Sequence, residues 1–296
     1  MRVASRDPDR AAGQRGELVL IRLLGAERSA AVSFAQAWPE HRFVFVSDEP
    51  VIDGWDLPNV EFAWGAADAA ESALPGGAAD RTVTVCGRWA SKAAARRGAT
   101  TDLLALFARV RGVLGERVAP LTPEPPSGPW QAKGRFWHRP DTVVQGQGQA
   151  GVDTVDPRPC GHLFQPLIKG GASYIASGLE MPGGALRYGV FRIFSEALAR
   201  YDVFQAGESV DDAEIMEMTE AALAALGEPG YFSLNWVRTP GALQLTSIRR
   251  VPREVLGTLR RGGVDVLAPG DEGRRLAAGR RFIVENHYSS YRRLEP

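Results

Sequence analysis

The chain has 296 residues, which suggests two domains of ordinary size. Its 35 basic and 35 acidic residues leave no net charge, so no long-range field attracts nucleic acid or an anionic membrane surface. The two cysteines and four histidines lack the spacings of a disulfide framework or a zinc site. No apolar run reaches the ~20 residues of a membrane span, and residues 1–16 read as a charged, disordered lead-in. We therefore expect a cytoplasmic protein.

Residues 17–118 alternate between strand-like and helix-like patterns. Short apolar runs bounded by turn residues predict the strands, and longer stretches with an apolar stripe predict the helices. The predicted strands lie at 17–24, 42–47, 59–64 and 81–87, and the predicted helices at 26–38 and 90–114. This alternation is typical of βαβ units with a parallel sheet.

A proline-rich stretch at 119–130 disfavours both helix and central strand, so we predict a domain boundary there. Residues 119–296 then form a second domain of α+β type. We predict a meander of strands at 162–168, 173–178 and 185–193, a helix at 210–226, and a hairpin of strands at 231–237 and 242–248. Asp211 and Glu214 resemble a capping box at the start of the helix. Further helices are predicted near 254–261 and 271–286.

Two features of the second domain suggest phosphate binding. The glycine-rich stretch 145–151 follows a predicted strand at 141–144, and backbone N–H groups in such a loop can surround phosphate oxygens. Lysine occurs only at positions 92, 133 and 169, and Lys133 lies shortly before that loop. The alternatives are a flexible surface loop and a solvated surface lysine. Neither a P-loop motif nor a dinucleotide-binding glycine motif is present.

The hairpin carries the sharpest pattern of polar residues. Because side chains alternate along strands, Asn235, Ser247 and Arg249 line one side if the turn pairs odd positions with odd positions. Polar groups in otherwise apolar strands must be hydrogen-bonded or solvated, so the alternative is an exposed sheet face.

Over roughly residues 120–262 the chain resembles the ATP-grasp superfamily. The segment FQPLIKG (164–170) resembles the hinge strand that those enzymes place along adenine, and RYGVFRIFSE (187–196) resembles the strand whose basic residue reaches phosphates. The closing hairpin is similar to that of phosphoribosylaminoimidazole carboxylase-type members. The resemblance implies ATP as a cofactor, and it gives roles to these residues: catalytic, Arg192 and Arg249; nucleotide-binding, Lys133, Gly146, Gly148, Gln165, Ile168 and Lys169; metal-binding, Asn235.

The chain departs from the family at four positions. Asn235 and Ser247 stand where the family has acidic metal ligands, so the resemblance puts Mg²⁺ in doubt. Arg249 replaces an asparagine, and Pro166 replaces the acid of the hinge. Either magnesium binds much more weakly here, or arginine neutralises the phosphate charge in its place.

Family members join a carboxylate to an amine through an acyl phosphate, and this is the leading hypothesis for the chain. The substrates would be a small acid and a small amine, and the resemblance also allows a homodimer. One alternative is a non-catalytic binding protein or a subunit of a biosynthetic complex. Another is an ATP-independent enzyme that reuses the cleft, because function depends on the site rather than on the fold.

Overall fold

The computed structural model describes residues 18–24, 34–47, 58–64, 81–86, 102–134, 144–147, 162–199, 202–249, 255–268 and 270–285. The predicted lead-in at 1–16 lies outside these residues, as do most of the helix predicted at 26–38 and the first part of the helix predicted at 90–114. No described helix is long and apolar enough to cross a membrane.

The N-terminal part contains a parallel sheet, as its alternating pattern predicts. Its strands are β1 (Leu18–Leu24), β2 (Arg42–Ser47), β3 (Val60–Trp64) and β4 (Arg81–Cys86). They lie in the order β3-β2-β1-β4, and all pairs are parallel. Residues 34–37 are helical. This helix ends just before Trp38, close to the end of the helix predicted at 26–38 between the first two strands.

Helix α1 spans Leu103–Leu114 and starts later than the pattern predicts. Asp102 has an extended backbone, and its carboxylate accepts a hydrogen bond from the Leu104 N–H at 3.0 Å. This N-cap begins a new helix, so the prediction of one helix from residue 90 was wrong at this point. Although α1 lies N-terminal to the predicted domain boundary, its apolar face packs in the core of the second part of the chain. The boundary itself stays a prediction.

A small antiparallel sheet follows the proline-rich stretch. It consists of β5 (Pro129–Gly134), β6 (Val144–Gln147) and β7 (His162–Pro166), in the order β6-β5-β7. Of the strand predicted at 141–144, only Val144 lies in the described residues, and the strand extends from there to Gln147. Gly146 pairs with Trp130 inside the sheet rather than lying in a loop.

A larger sheet forms the centre of the second part. Its members are β8 (Ala172–Glu180), β9 (Leu186–Ala199), β10 (Asp202–Ser209), β11 (Gly230–Arg238), β12 (Leu243–Arg249), β13 (Arg274–Arg275) and β14 (Arg281–Glu285). The main order is β12-β11-β8-β9-β10-β14, and β13 pairs with β9. The sequence pattern did not reveal β10, which extends the meander by one strand.

Helix α2 spans Ala213–Leu226 and connects β10 to the hairpin. Asp212 is its N-cap, because its carboxylate accepts a hydrogen bond from the Ile215 N–H at 3.1 Å. The sequence pattern predicts this role for Asp211, one residue too early. Gly227 ends the helix with φ of 64°, in the left-handed region that glycine adopts without strain.

The C-terminal part contains a short helix and two strands. Helix α3 (Leu256–Arg261) agrees with the prediction. The helix predicted at 271–286 was wrong, because the described residues there form the strands β13 and β14. Gly279 adopts a φ of 84°, which breaks any helix there, and β14 instead pairs along the edge of β10. Such a pairing depends on a distant partner, so a local helical period cannot reveal it.

The large sheet has two different faces, each with its own core. On one face, Leu234, Trp236 and Ile248 pack against α1 and α2. On the other face, Phe191 and Tyr231 pack against α3 and against residues 34–43 of the N-terminal part. We call these the helix face and the α3 face.

Candidate functional site

Lys133 lies where the small sheet meets the edge of the large sheet. Its ammonium donates hydrogen bonds to the side-chain oxygen of Gln165, at 2.7 Å, and to the backbone carbonyl of Thr246. Gln131 donates to the same Gln165 oxygen at 2.7 Å. The Phe107 ring of α1 closes one side, with its centroid 5.9 Å from the lysine nitrogen. Lys133 therefore joins β5, β7 and β12 at one point.

The charge on Lys133 is poorly compensated by these partners. Both of its hydrogen-bond acceptors are neutral, and the Arg249 guanidinium lies close enough to repel it. Burial, and secondarily the charge of Arg249, lower the pKa of Lys133 to about 7. An anionic ligand beside Lys133 would oppose both effects, because a nearby negative charge favours the protonated lysine.

The connection between the two sheets begins directly beside this lysine. Gln165 is fully buried at the end of β7, and its side-chain N–H₂ group has no hydrogen-bond partner within the described residues. The Leu167 N–H donates to the Pro129 carbonyl at 2.9 Å, which anchors the start of the crossing to β5. The chain then passes through Ile168 and Lys169 to β8 in the large sheet.

The hairpin of β11 and β12 has the register that the sequence analysis expected. Asn235 pairs with Ser247, and Ser233 pairs with Arg249, so the four side chains share the α3 face of the sheet. A bulge at Thr246 separates these pairs from the rest of the hairpin, and it is the Thr246 carbonyl that Lys133 contacts. The hydroxyl of Ser233 is buried without a hydrogen-bond partner in the described part of the chain.

Arg192 does not join this cluster. It pairs with Tyr174 on β8, whereas Asn235 pairs with Ile175, one residue further along the same strand. Because neighbouring residues of a strand point to opposite faces, Arg192 lies on the helix face. Its exposed guanidinium rests over the Phe194 ring at 5.8 Å. The expectation that Arg192 reaches the same cleft as Asn235 and Arg249 was therefore wrong.

Another arginine on β9 is buried, but its role is structural. The Arg187 guanidinium donates to backbone carbonyls of Asp265, Ala268, Gly270 and Glu272, at 2.6–3.1 Å. These bonds hold the loop between α3 and β13 against the sheet. The local sequence does not distinguish Arg187 from Arg192, because the two arginines differ mainly in the distant residues that each contacts.

The other residues that were predicted to bind nucleotide lie in different parts of the structure. Ile168 is half-buried and Lys169 is exposed on the crossing segment, next to the anchored Leu167. Gly146 is part of β6, and Gly148 lies outside the described residues. Gln131 was missed, although it lies two residues before Lys133 on the same strand and so shares its face. Thr246 was also missed, because its backbone rather than its side chain takes part.

The side chains on the hairpin do not fit a magnesium ion. Mg²⁺ prefers carboxylate, phosphate and water oxygens, whereas this surface presents two hydroxyls, one amide and one guanidinium. A guanidinium repels a cation and attracts an anion. Among the described residues, no group of three or more His, Cys, Asp or Glu residues could hold a metal ion.

Several solved structures have a similar fold. N5-carboxyaminoimidazole synthetase from Staphylococcus aureus has a TM-score of 0.60 and 12% identity, covering 89% of this chain and 80% of that one. L-amino acid ligase from Bacillus licheniformis has a TM-score of 0.54 and 13% identity, covering 80% and 68%. D-alanine–D-alanine ligase from Bacillus anthracis has a TM-score of 0.51 and 11% identity, covering 80% and 88%.

All three structures are ATP-grasp proteins, and the chain has the ATP-grasp fold. A complex of the Staphylococcus aureus enzyme with ADP is similar as well, with a TM-score of 0.58 and 11% identity, covering 90% of this chain and 80% of that one. No protein-family profile matches the sequence, and no curated protein matches it. At such low identities the likeness shows the fold alone, so the activity must be argued from the site.

Proposed function

We propose that this chain is an ATP-dependent ligase that joins a small carboxylic acid to a small amine through an acyl phosphate. One observation supports this most strongly. Lys133 and Arg249 bring two positive charges together at the junction of two sheets, and the hydrogen-bond partners of Lys133 are neutral. Such a site favours a highly charged anion, and the triphosphate of ATP has that character.

Each group of residues around this junction would have its own part in binding ATP. Lys133 and Arg249 would bind phosphate oxygens, and Asn235 and Ser247 would add neutral hydrogen bonds from the same face. The crossing segment at 167–169, with Lys169 at its exposed edge, would lie along the base. Arg192 has no part in this arrangement because it lies on the other face.

In this reaction the protein has to neutralise the negative charge of the phosphates, and it forms no covalent bond with the substrates. In the first step a carboxylate oxygen attacks the terminal phosphorus of ATP, the bond to the bridging oxygen breaks, and ADP leaves. In the second step the amine attacks the acyl carbon, phosphate leaves, and the amine loses a proton. Arg249 would stabilise the charge on the transferred phosphoryl group, as arginine does in other phosphoryl transfers. No step is assigned to magnesium, because the hairpin side chains do not fit it.

A non-catalytic binding protein is the second candidate function. The observation that favours it is the absence of carboxylates from the hairpin, where hydroxyl and amide groups stand instead. Such a protein would bind nucleotide at Lys133 and Arg249 without turning it over.

A coupled assay of ADP release would separate the two functions. The purified chain would be incubated with ATP and with mixtures of small carboxylic acids and amines, and single-component mixtures would serve as controls. ADP release that requires both an acid and an amine supports the ligase. ATP binding without ADP release in any mixture contradicts the ligase and supports the binding protein.

A further inference from the structure

Two buried hydrogen-bond donors near the junction of the two sheets have no acceptor within the described residues. One is the side-chain N–H₂ group of Gln165, and the other is the hydroxyl of Ser233; both residues are fully buried. A buried polar group without a partner destabilises a chain unless a ligand or a water molecule satisfies it. The neighbouring Lys133, Asn235 and Arg249 are half-buried, so a ligand can reach this border of the buried surface.

The orientation of the Gln165 amide is set by two donors. Lys133 and Gln131 both donate to its oxygen at 2.7 Å, so the N–H₂ group is the arm of the amide that stays free. The ammonium of Lys133 has three N–H groups, and two of them are used on Gln165 and on the Thr246 carbonyl. Because an oxyanion has at least two oxygens, one that binds Lys133 can also accept from the N–H₂ group of Gln165.

Ser233 has the corresponding position beside Arg249. The two residues are directly opposite each other on β11 and β12, so their side chains share the α3 face with Cβ atoms about 5 Å apart. On its other side Ser233 is opposite Ser177 of β8, whose hydroxyl donates to the Phe232 carbonyl at 3.0 Å. Of these two buried serines, only Ser177 has an acceptor within the described part of the chain.

We propose that Gln165 and Ser233 are two further oxyanion contacts of this site, one beside each cation, and that they bind phosphate groups of the ligand. One phosphate group binds Lys133 and Gln165, and another binds Arg249 and Ser233. This inference deepens the proposed function and rests on it, since the triphosphate of ATP offers several such groups. A single carboxylate is also an oxyanion, but it can engage only one of the two places.

The two buried serines provide a matched test. Calorimetric titration of the whole chain with sodium tripolyphosphate and with ATP, both in EDTA, measures the affinity, and urea unfolding of the free chain measures the stability. Ser233→Ala weakens the binding of both ligands by about tenfold, whereas the urea midpoint stays the same or rises, because an unpaired hydroxyl is removed. Ser177→Ala lowers the midpoint, because it breaks a hydrogen bond, and leaves both affinities unchanged.

Gln165 is tested against Gln131, its partner in register on β5. Gln165→Met removes the free N–H₂ group and weakens the binding of tripolyphosphate and of ATP by about tenfold. Gln131→Met removes one donor to the Gln165 oxygen but leaves the N–H₂ group and the contact with Lys133 in place. It therefore changes both affinities by less than about threefold.

Three results overturn the proposal. The first is no binding of tripolyphosphate or ATP by the wild type at concentrations up to ~10 mM. The second is an affinity within about threefold of the wild type in Ser233→Ala or in Gln165→Met. The third is sodium acetate that binds as tightly as tripolyphosphate, which would assign the contacts to a carboxylate. Failure of the ligase is a separate result, in which the affinities change as expected but no mixture of acid and amine leads to release of ADP.

Discussion

At the scale of single residues, Lys133 has the most unusual environment in the candidate site. Its ammonium is held by an amide oxygen and a backbone carbonyl, with Arg249 close enough to oppose its charge. Burial and this repulsion lower the pKa of Lys133 to about 7. The folded chain thus holds a lysine that loses its proton near neutral pH, whereas the same lysine in the unfolded chain titrates near its ordinary value of about 10.4.

This difference predicts a pH dependence of stability. Between about pH 7 and pH 10 the unfolded chain binds more protons at Lys133 than the folded chain, so the free energy of unfolding rises with pH in that window. Chemical denaturation at several pH values measures the slope. Lys133→Met should reduce the slope, whereas Lys169→Met, which changes an exposed lysine, should not. Equal slopes in the wild type and Lys133→Met would show that Lys133 stays charged.

The lowered pKa of Lys133 also predicts how the affinity for ATP depends on pH. An anion binds the charged lysine more tightly, so the affinity for ATP should fall as the pH rises above about 7. Calorimetry in buffers of different ionisation enthalpy should show net proton uptake upon binding near pH 8. Proton release, or binding that is independent of pH from 6 to 9, would contradict this position for the phosphates.

The two arginines predicted to be catalytic, Arg192 and Arg249, provide a matched pair of variants. Arg249→Gln should weaken ATP binding by about tenfold to a hundredfold, because hydrogen bonds to charged groups contribute about 1.5–3 kcal/mol. Arg192→Gln should leave the affinity unchanged, because that side chain lies on the helix face. Equal losses in the two variants would mean that the assignment of faces is wrong.

At the scale of elements, the start of helix α2 connects the helix with the hairpin. Asp212 caps the helix, and its carboxylate also accepts two hydrogen bonds from the Arg238 guanidinium, at 2.8 and 2.9 Å. Glu214 on the first turn bonds the other end of the same guanidinium at 2.7 Å. Arg238 is the last residue of β11, so these contacts fix the helix against the strand that carries Asn235.

Three substitutions would separate the cap from the ion pair. Asp212→Ala should lower the free energy of unfolding by about 1–2 kcal/mol, since it removes an N-cap. Asp212→Asn should lose much less, because asparagine is also a good N-cap. Asp211→Ala is the matched control at the position that the sequence pattern indicated, and it should change little. A larger effect of Asp211→Ala in urea unfolding would contradict the observed cap.

Some strands could be predicted from the sequence, and others could not. Strands β1, β2, β11 and β12 were found because each is a short apolar or alternating run bounded by turn residues. The register of Asn235 with Ser247 followed from alternation and the Pro-Gly turn. In contrast, β13 and β14 depend on pairing with distant partners, and a local pattern carries no record of them. For the same reason the contact between Lys133 and Thr246, 113 positions apart, could not be foreseen.

At the scale of the whole molecule, the N-terminal part is joined to the large sheet through helix α3. Phe34, Trp38 and Phe43 belong to the same apolar core as Leu256 and Leu259. The Trp38 indole donates to the Asp265 carboxylate at 3.1 Å, and Arg260 of α3 forms an ion pair with Glu40. The α3 face is therefore partly covered by the N-terminal part.

This shared core predicts that the described parts unfold together. Trp38→Ala should lower the free energy of unfolding by about 3–5 kcal/mol, because a large buried ring leaves a cavity. Trp38→Phe keeps most of the packing and loses one hydrogen bond, so it should lose about 1 kcal/mol. Wild-type unfolding followed by calorimetry should show one transition. Two well-separated transitions, with Trp38→Ala affecting only the first, would contradict the shared core.

The central claim is a nucleotide site at Lys133 and Arg249 that uses arginine where magnesium would be expected. Calorimetric titration with ATP, in EDTA and again with excess Mg²⁺, tests this most directly. The site described here predicts binding in EDTA, with a Kd within about threefold of the value in Mg²⁺, and a large loss in Arg249→Gln under both conditions. Binding that appears only with Mg²⁺, or no binding of ATP under either condition, would contradict it.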